Sequence, residues 1–199
     1  MESTVKKYQQ RFRKVKEEME KWDNFQSRLV SQFRNASSII DRLQMIRESN
    51  NYGSLNCVGG IADVVMRKQM ESLQTILISI NKTLDEFQGI VMILERMHRD
   101  GKQLVQGGGS NHLTAKQLQQ RVGIKPCLAD CLDGLMILRD MHRSEYLLKS
   151  SLVSALPALV LKPSSSDLAA LQQLLVDQPN IPREEVQFIF DIIFAEEIC

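Results

Sequence analysis

Residues 3–49, STVKKYQQRFRKVKEEMEKWDNFQSRLVSQFRNASSIIDRLQMIRES, contain neither glycine nor proline and decide the fold. Their apolar residues recur in steps of three and four, which is the spacing of the inner face of a coiled-coil helix. Gln26 is the only interruption over six heptads. We predict one helix of about 45 residues, roughly 68 Å long at 1.5 Å per residue. The apolar positions are Val5, Tyr8, Phe12, Val15, Met19, Trp22, Leu29, Phe33, Ala36, Ile40 and Leu43.

A second long helix follows a short turn. Residues 50–60, NNYGSLNCVGG, collect turn-forming residues and end the first helix. The next apolar series steps by four and three without a miss, although Gly89 within it costs roughly 1 kcal/mol relative to alanine. Because the connection is short, we predict that residues 1–106 form a long antiparallel hairpin. The apolar positions of this helix are Met66, Met70, Leu73, Leu77, Ile80, Leu84, Phe87, Val91 and Leu94.

Residues 107–125 are predicted as a flexible linker that contains a short helix. The linker opens with the glycine-rich sequence GGGSN, which is typical of a flexible connection. Thr114 and Gln117 then predict a capping box for a helix over residues 115–122, which Gly123 ends. GGGSN lacks the GxxxxGK[ST] pattern of a phosphate-binding loop, so we predict no nucleotide site there.

Residues 126–156 are predicted as the third helix of the bundle. Pro126 suits the first helical position, where no intrahelical N–H is needed, and Pro157 is expected to stop the helix. This third helix is expected to pack across the hairpin formed by the first two. The predicted fold class is therefore all-α, a long antiparallel helical hairpin completed to a three-helix coiled-coil-like bundle, plus a short C-terminal helical pair.

Residues 165–199 are predicted as that C-terminal pair. Ser166 or Asp167 is expected to cap a first helix over residues 168–176. Pro182 then starts a last helix that is apolar on nearly every side, which predicts burial. Because little chain remains to cover this helix, we expect a partner to cover part of it.

Charge is distributed unevenly along the chain. Residues 164–199 hold seven acids and one base, which is a net charge of −6. Because the whole chain has a net charge of +1, residues 1–163 carry a net charge of +7. This asymmetry either steers a basic partner to the tail and an acidic one to the body, or reflects solvated helix faces. Seven bases among residues 6–21 fit either the flank of a coiled coil or weak contact with a nucleic acid backbone. No interleaved aromatic residues indicate base stacking, so we do not expect specific nucleic acid binding.

Neither a metal site nor a catalytic centre is predicted. The four cysteines contain no CxxC motif and the three histidines are scattered, so Cys127 and Cys131 are interpreted as small, buried apolar residues. No apolar stretch approaches the roughly 18 residues of a membrane span, and residues 1–10 lack the apolar core of a signal peptide. We expect an intracellular protein that is not an enzyme and that uses no cofactor, small-molecule substrate or membrane.

Candidates for a partner surface lie on the third and last helices. Arg139, Arg143 and Tyr146 follow one another along adjacent turns, and arginine and tyrosine dominate the energetics of many protein interfaces. A solvated, ion-paired face explains them equally well, so both interpretations stay open. Trp22, the single tryptophan, is predicted to pack in the core. The partner-interface candidates are Arg139, Arg143, Tyr146, Leu147, Lys149, Phe188, Phe190 and Phe194.

Four blocks of sequence together resemble one family. The blocks are Trp22 after an acidic and basic helical lead, Arg67-Lys68-Gln69, the segment from Leu128 to Leu156 around Arg143 and Tyr146-Leu147, and Asp167-Leu168-Ala169 before a last helix that ends in two glutamates. In order and spacing they are similar to the AIRIM family of small helical ribosome-maturation factors, and they indicate a plant-like or other divergent member.

This resemblance implies a non-catalytic adaptor subunit of type II AAA ATPases that acts with a second small adaptor protein. The implied role is release of shuttling factors during cytoplasmic maturation of pre-ribosomal large subunits, with indirect contact to the pre-ribosomal particle, and turnover of replisome proteins on chromatin. The implied location is the cytoplasm and nucleus. The residues alone leave two alternatives, a coiled-coil structural tether or spindle-type protein and a helical nucleic-acid-binding module.

Overall fold

The computed structural model describes residues 2–47, 52–53, 59–106, 114–121 and 123–198, and it is helical. The all-α class predicted from the sequence is confirmed, and no strand occurs in the described residues. The GGGSN sequence and most of the predicted turn at residues 50–60 lie outside them. The helices are α1 (Glu2–Ile46), α2 (Ile61–Gln106), α3 (Ala115–Leu118), α4 (Leu128–Leu161), α5 (Ser165–Asp177), α6 (Arg183–Ile193) and α7 (Ala195–Ile198).

The apolar stripes of α1 and α2 form the core. On α1 every predicted stripe position is buried except Met19, which is half-buried, and Gln26 is buried as well. On α2 the stripe is buried from Ile80 to Leu94, whereas Met70 near its start is 40% exposed. The alternating spacing therefore located the core correctly along α1 and along the second half of α2.

The chain divides into two compact units that cut across the segments predicted from the sequence. Each of the long helices α1, α2 and α4 contributes residues to both units. Unit 1 contains Met1–Asp23, Phe87–Tyr146 and Gln178–Cys199, and unit 2 contains Asn24–Glu86 and Leu147–Asp177.

Unit 1 holds the two hairpin helices antiparallel. The Tyr8 hydroxyl near the start of α1 donates a 2.7 Å hydrogen bond to the Gly101 carbonyl near the end of α2. Further along α1, the Trp22 ring packs edge to face on Phe87, with 4.4 Å between centroids. On α4, Gly134 allows the Phe12 ring of α1 to approach the α4 backbone closely, because a Cβ at this position would lie 3.0 Å from that ring.

Unit 2 repeats the antiparallel arrangement with polar contacts. Gln32 of α1 donates to the Ser79 hydroxyl at 2.7 Å and accepts from the Thr83 hydroxyl at 3.0 Å. Helix α5 lies along α1, and the Ser165 hydroxyl donates to the Asp41 carboxylate at 2.9 Å. Both predicted hairpin helices therefore contact each other within this unit too.

Pro157 does not end α4, and this prediction is wrong. The helix continues through Pro157 to Leu161. Pro157 is itself exposed, while Leu156 and Val160 on either side of it are buried. Their burial offsets the loss of one backbone donor near the helix end.

The starts of the shorter helices also differ from prediction. Helix α4 begins after a cysteine cap, because Cys127 N donates to the Asp130 carboxylate at 3.1 Å and Asp130 N donates to Cys127 Sγ at 3.3 Å. This reciprocal pair places the start at Leu128, two residues after Pro126. Ser164, not Ser166 or Asp167, caps α5, since its hydroxyl accepts from Asp167 N at 3.3 Å.

The short helix α3 matches the prediction at its start only. The capping box is confirmed: Gln117 N donates to Thr114 Oγ1 at 3.4 Å, and Thr114 N donates to Gln117 Oε1 at 2.8 Å. The helix ends at Leu118 instead of residue 122, and none of its residues is buried. Without apolar packing, the favourable cap sustains a single turn.

Candidate interaction surfaces

The turn between α5 and α6 is held by side chains of α1 and α4. Trp22 Nε1 donates to Gln178 Oε1 at 2.8 Å. Glu145 Oε2, on a fully buried residue, accepts from both the backbone and the side-chain nitrogen of Asn180, each at 3.1 Å. Gln178 has a φ of 47°, a conformation that side-chain-bearing residues adopt only when contacts stabilise it. These bonds fix the place where α6 begins.

An apolar groove of about 500 Å³ runs between α1 and α6 within unit 1. A smaller depression of about 380 Å³ beside Trp22 shares several of its lining residues. A groove with an apolar floor and a charged rim can accept the apolar side chains of a partner helix. The floor is formed by Met19, Val186, Phe190 and Phe194, and the rim includes Arg13, Lys16, Glu20, Asp23 and Asp191.

The three candidate phenylalanines in and directly after α6 have different environments. Phe190 packs edge to face on Phe12, with 6.0 Å between centroids, and stacks with Phe194 at 6.3 Å. The Arg13 guanidinium lies 5.5 Å from the centre of the Phe194 ring. Phe188 points outward and is 63% exposed.

Within unit 1, helix α6 is therefore buried on one face only, and its remaining apolar surface is what the sequence predicts a partner to cover. The positions buried against the rest of unit 1 are Val186, Ile189 and Ile193, which follow the three-and-four spacing of a single helix face. The remaining faces carry exposed acids as well as Phe188. The amphipathic spacing, rather than the total apolar content, determined which residues are buried.

The α4 candidates of unit 1 are only partly available to a partner. Arg139 bonds the Asp140 carboxylate at 2.8 and 2.9 Å, and its Nη1 lies 2.7 Å from Nδ1 of the buried His98. The Arg143 side chain is 61% exposed and reaches Glu95 only at 4.0 Å. Tyr146 is half-buried. Arg143 is thus the most accessible member of this predicted surface.

The two α4 candidates in unit 2 differ completely in their exposure to solvent. Leu147 is 55% exposed. Lys149 is fully buried, and its Nζ donates to Gln26 Oε1 at 2.7 Å. Gln26 Nε2 in turn donates to the Leu175 carbonyl at 2.6 Å. Lys149 is therefore a core residue of unit 2, and its place among the surface candidates is corrected.

The two buried cysteine thiols favour their neutral forms. Burial raises the pKa of the Cys131 thiol to about 12 and also raises the pKa of Cys127, so both cysteines stay protonated. Both are buried, as predicted. Within the described part of the chain, no group of three or more histidine, cysteine or carboxylate side chains is arranged to hold a metal ion. None of the described helices has the length and apolar content needed to cross a membrane.

Sequence reasoning missed the buried polar residues that position α6. A turn signal was present in Gln178-Pro179-Asn180, because proline next to asparagine is typical of turns. Glu145 gave no signal of its own, since a glutamate in a helix is usually solvated. Only the packing of the tail against α4 identifies it as an anchor.

The comparison with known families decides the family of this chain. The family described as CA109-like, ribosome biogenesis protein C1orf109-like, matches residues 2–198. The chain belongs to this family. It is the AIRIM family that the four sequence blocks resemble, so the resemblance is confirmed at the level of the family. The chain matches no curated protein. Membership of the C1orf109-like family assigns the chain to ribosome biogenesis.

Proposed function

We propose that this chain is a non-catalytic adaptor subunit of an AAA ATPase complex and promotes the release of shuttling factors during cytoplasmic maturation of pre-ribosomal large subunits. The match to a ribosome biogenesis family over nearly the whole chain supports a role in ribosome maturation. The resemblance supports the ATPase, a second small adaptor protein, a location in cytoplasm and nucleus, and an extension to replisome protein turnover on chromatin.

The observation that carries the adaptor proposal is the surface of α6 in unit 1. Phe188 is a large aromatic side chain left 63% exposed, and it lies on the helix that borders the apolar groove. Aromatic side chains are typical of the few residues that provide most of the binding energy in an interface. The bonds from Trp22 and Glu145 hold the turn before α6, so this surface is positioned before a partner arrives.

Arg143 on α4 provides a second contact of different chemistry. Its guanidinium is 61% exposed, and its weak contact with Glu95 leaves it able to bind a carboxylate of the partner. An aromatic anchor and an arginine on ordered helices suit a protein partner.

The coiled-coil tether is not favoured. It requires an open apolar stripe along α1 for pairing with a second chain. The described stripe residues of α1 are already buried within units 1 and 2, apart from the half-buried Met19. The stripe therefore explains the fold of this chain and does not require a tethering function.

Affinity purification of the tagged full chain from its own cells tests the proposal. We expect recovery of an AAA ATPase together with proteins of the pre-ribosomal large subunit. Phe188→Ser and Arg143→Glu should each reduce the recovered ATPase by roughly tenfold, as expected for interface anchors. Leu161→Ser is the control, because Leu161 is 79% exposed and belongs to unit 2.

Each outcome of this purification has a separate meaning. Recovery of no AAA ATPase by the unaltered chain would overturn the adaptor function. Full recovery by both variants, with an unchanged melting temperature, would retain the adaptor function and reject these two residues as its contacts.

A further inference from the structure

The first four turns of α1 present a cationic surface, because their one carboxylate, Glu2, is paired with Lys125. Residues 3–16 contain six bases and no acid. This stretch belongs to unit 1, and its apolar residues are buried while its lysines point outward. The bases that form the basic face are the exposed Lys6, Lys7 and Lys14 and the half-buried Arg11, whereas Lys16 lies at the rim of the apolar groove.

The neighbouring helices do not neutralise the basic face. Among the described residues, Lys7 and Lys14 form no hydrogen bond or ion pair. Other lysines of unit 1 do so: Lys21 pairs with Glu18 at 2.7 Å, and Lys125 pairs with carboxylates of α1 and α7. The flank of a coiled coil, where opposite charges pair between helices, therefore does not account for these two lysines.

The spacing of the lysines fits a regular polyanion. Lys7 and Lys14 are separated by two turns of α1, about 10.5 Å along the axis at 1.5 Å per residue. In double-stranded DNA each strand presents one phosphate about every 3.4 Å of axis, so a backbone of similar charge density places about three phosphates across this distance. Lys7 and Lys14 border one shallow depression with Gln10 and Arg11, which adds neutral and cationic donors between them.

We propose that the basic face binds the phosphate backbone of RNA without reading its sequence. Tyr8 and Phe12, the aromatic residues of this stretch, are fully buried, so bases have no ring there on which to stack. RNA is the abundant polyanion at the site of ribosome biogenesis, the process to which the family assigns the chain. This contact is separate from the α4 and α6 surfaces proposed for the ATPase.

Fluorescence anisotropy with a labelled single-stranded RNA of roughly 16 nucleotides tests the contact on the full chain. Binding should weaken steeply between about 50 and 200 mM salt. The triple variant Lys6→Gln, Lys7→Gln and Lys14→Gln should bind roughly tenfold more weakly at the lower salt concentration. It should also reduce the slope of log affinity against log salt by about 2, since each lost phosphate contact contributes about 0.7.

A charge-matched triple variant distinguishes the effect of the basic face from the effect of the total charge of the chain. Lys68→Gln, Lys82→Gln and Lys116→Gln remove the same charge from other exposed positions and should leave affinity nearly unchanged. Circular dichroism melting shows that both triple variants fold. Equal losses in the two variants would overturn the proposal, as would no RNA binding at low salt.

Competition identifies the class of polyanion. If polyglutamate at equal charge displaces the RNA as well as unlabelled RNA does, an acidic protein is the better ligand and the RNA assignment is rejected. The basic-face variant should still recover the AAA ATPase in affinity purification, so failure of RNA binding and failure of the adaptor function are distinguishable.

Discussion

Trp22 in unit 1 and Gln26 in unit 2 lie one turn apart on the same buried stripe of α1, yet they stabilise their units by different chemistry. Trp22 is 1% exposed and packs its ring on Phe87 and on His142, whose centroid is 4.8 Å away. Its only polar atom donates to Gln178. Most of its contribution is therefore apolar contact, with one hydrogen bond at the tip of the side chain.

Gln26 instead connects polar groups inside unit 2. It is 8% exposed, accepts from the Lys149 ammonium and donates to the Leu175 carbonyl. A residue that interrupts an apolar series thus supplies the acceptor for a buried cation. The comparison shows that a stripe can hold a helical tail by packing in one unit and by a polar network in the other.

Removing the ring of Trp22 should have the largest effect. Trp22→Ala is expected to lower the free energy of unfolding by about 3–5 kcal/mol, because it leaves a cavity between aromatic rings and releases Gln178. Urea denaturation followed by circular dichroism measures this, since Trp22 is the single tryptophan and its own fluorescence would be lost. Trp22→Phe, which keeps a ring and loses the donor, should cost less. A loss below about 1 kcal/mol for Trp22→Ala would contradict the packing role.

The polar network of unit 2 should respond differently to single and double substitution. Gln26→Leu is expected to cost about 3 kcal/mol, because the buried Lys149 ammonium loses this acceptor. Replacing both residues, as Gln26→Leu with Lys149→Met, should cost less than the sum of the two single losses, because the bonded pair is then removed together. The same urea titrations give the coupling between the two sites. Additive losses would show that Gln26 and Lys149 act independently.

The sequence predicted the long helices well because their spacing alone specifies which face is buried. The stripe of α1 was located residue by residue, and Gln26 was recognised as its single interruption. What that interruption does was not predictable, because its partners lie 123 and 149 residues away along the chain. Only tertiary packing brings them together.

The candidate surface was predicted less completely for the same reason. Lys149 and Arg143 are both basic residues of the same predicted helix. Lys149 is fully buried, whereas the Arg143 side chain is 61% exposed. Phe188 and Phe190 are two residues apart and face opposite environments, which follows from the helical period once the buried face of α6 is known. Propensity and composition locate a helix, whereas neighbouring elements decide which of its residues remain accessible.

A smaller effect, which depends on pH, is expected at His98. This residue gives unit 1 a contact that titrates. His98 is 5% exposed, and burial followed by the nearby Arg139 charge lowers its pKa. Lys102 lowers this pKa further and Asp140 opposes the shift. Because arginine only donates, the 2.7 Å contact requires His98 Nδ1 to accept, which the neutral ring alone can do.

The direction of the pH effect follows from this lowered pKa. The unfolded chain, with a histidine pKa near 6.5, takes up the proton first as the pH falls. The stability from neutral His98 is therefore complete above about pH 6.5 and is lost as the pH falls through the folded-state pKa. His98→Gln, which cannot titrate, should reduce the fall in melting temperature between about pH 7 and pH 5 by about 2 °C. An NMR titration of the His98 ring with a midpoint at or above 6.5 would contradict the lowered pKa and remove this difference between the two units.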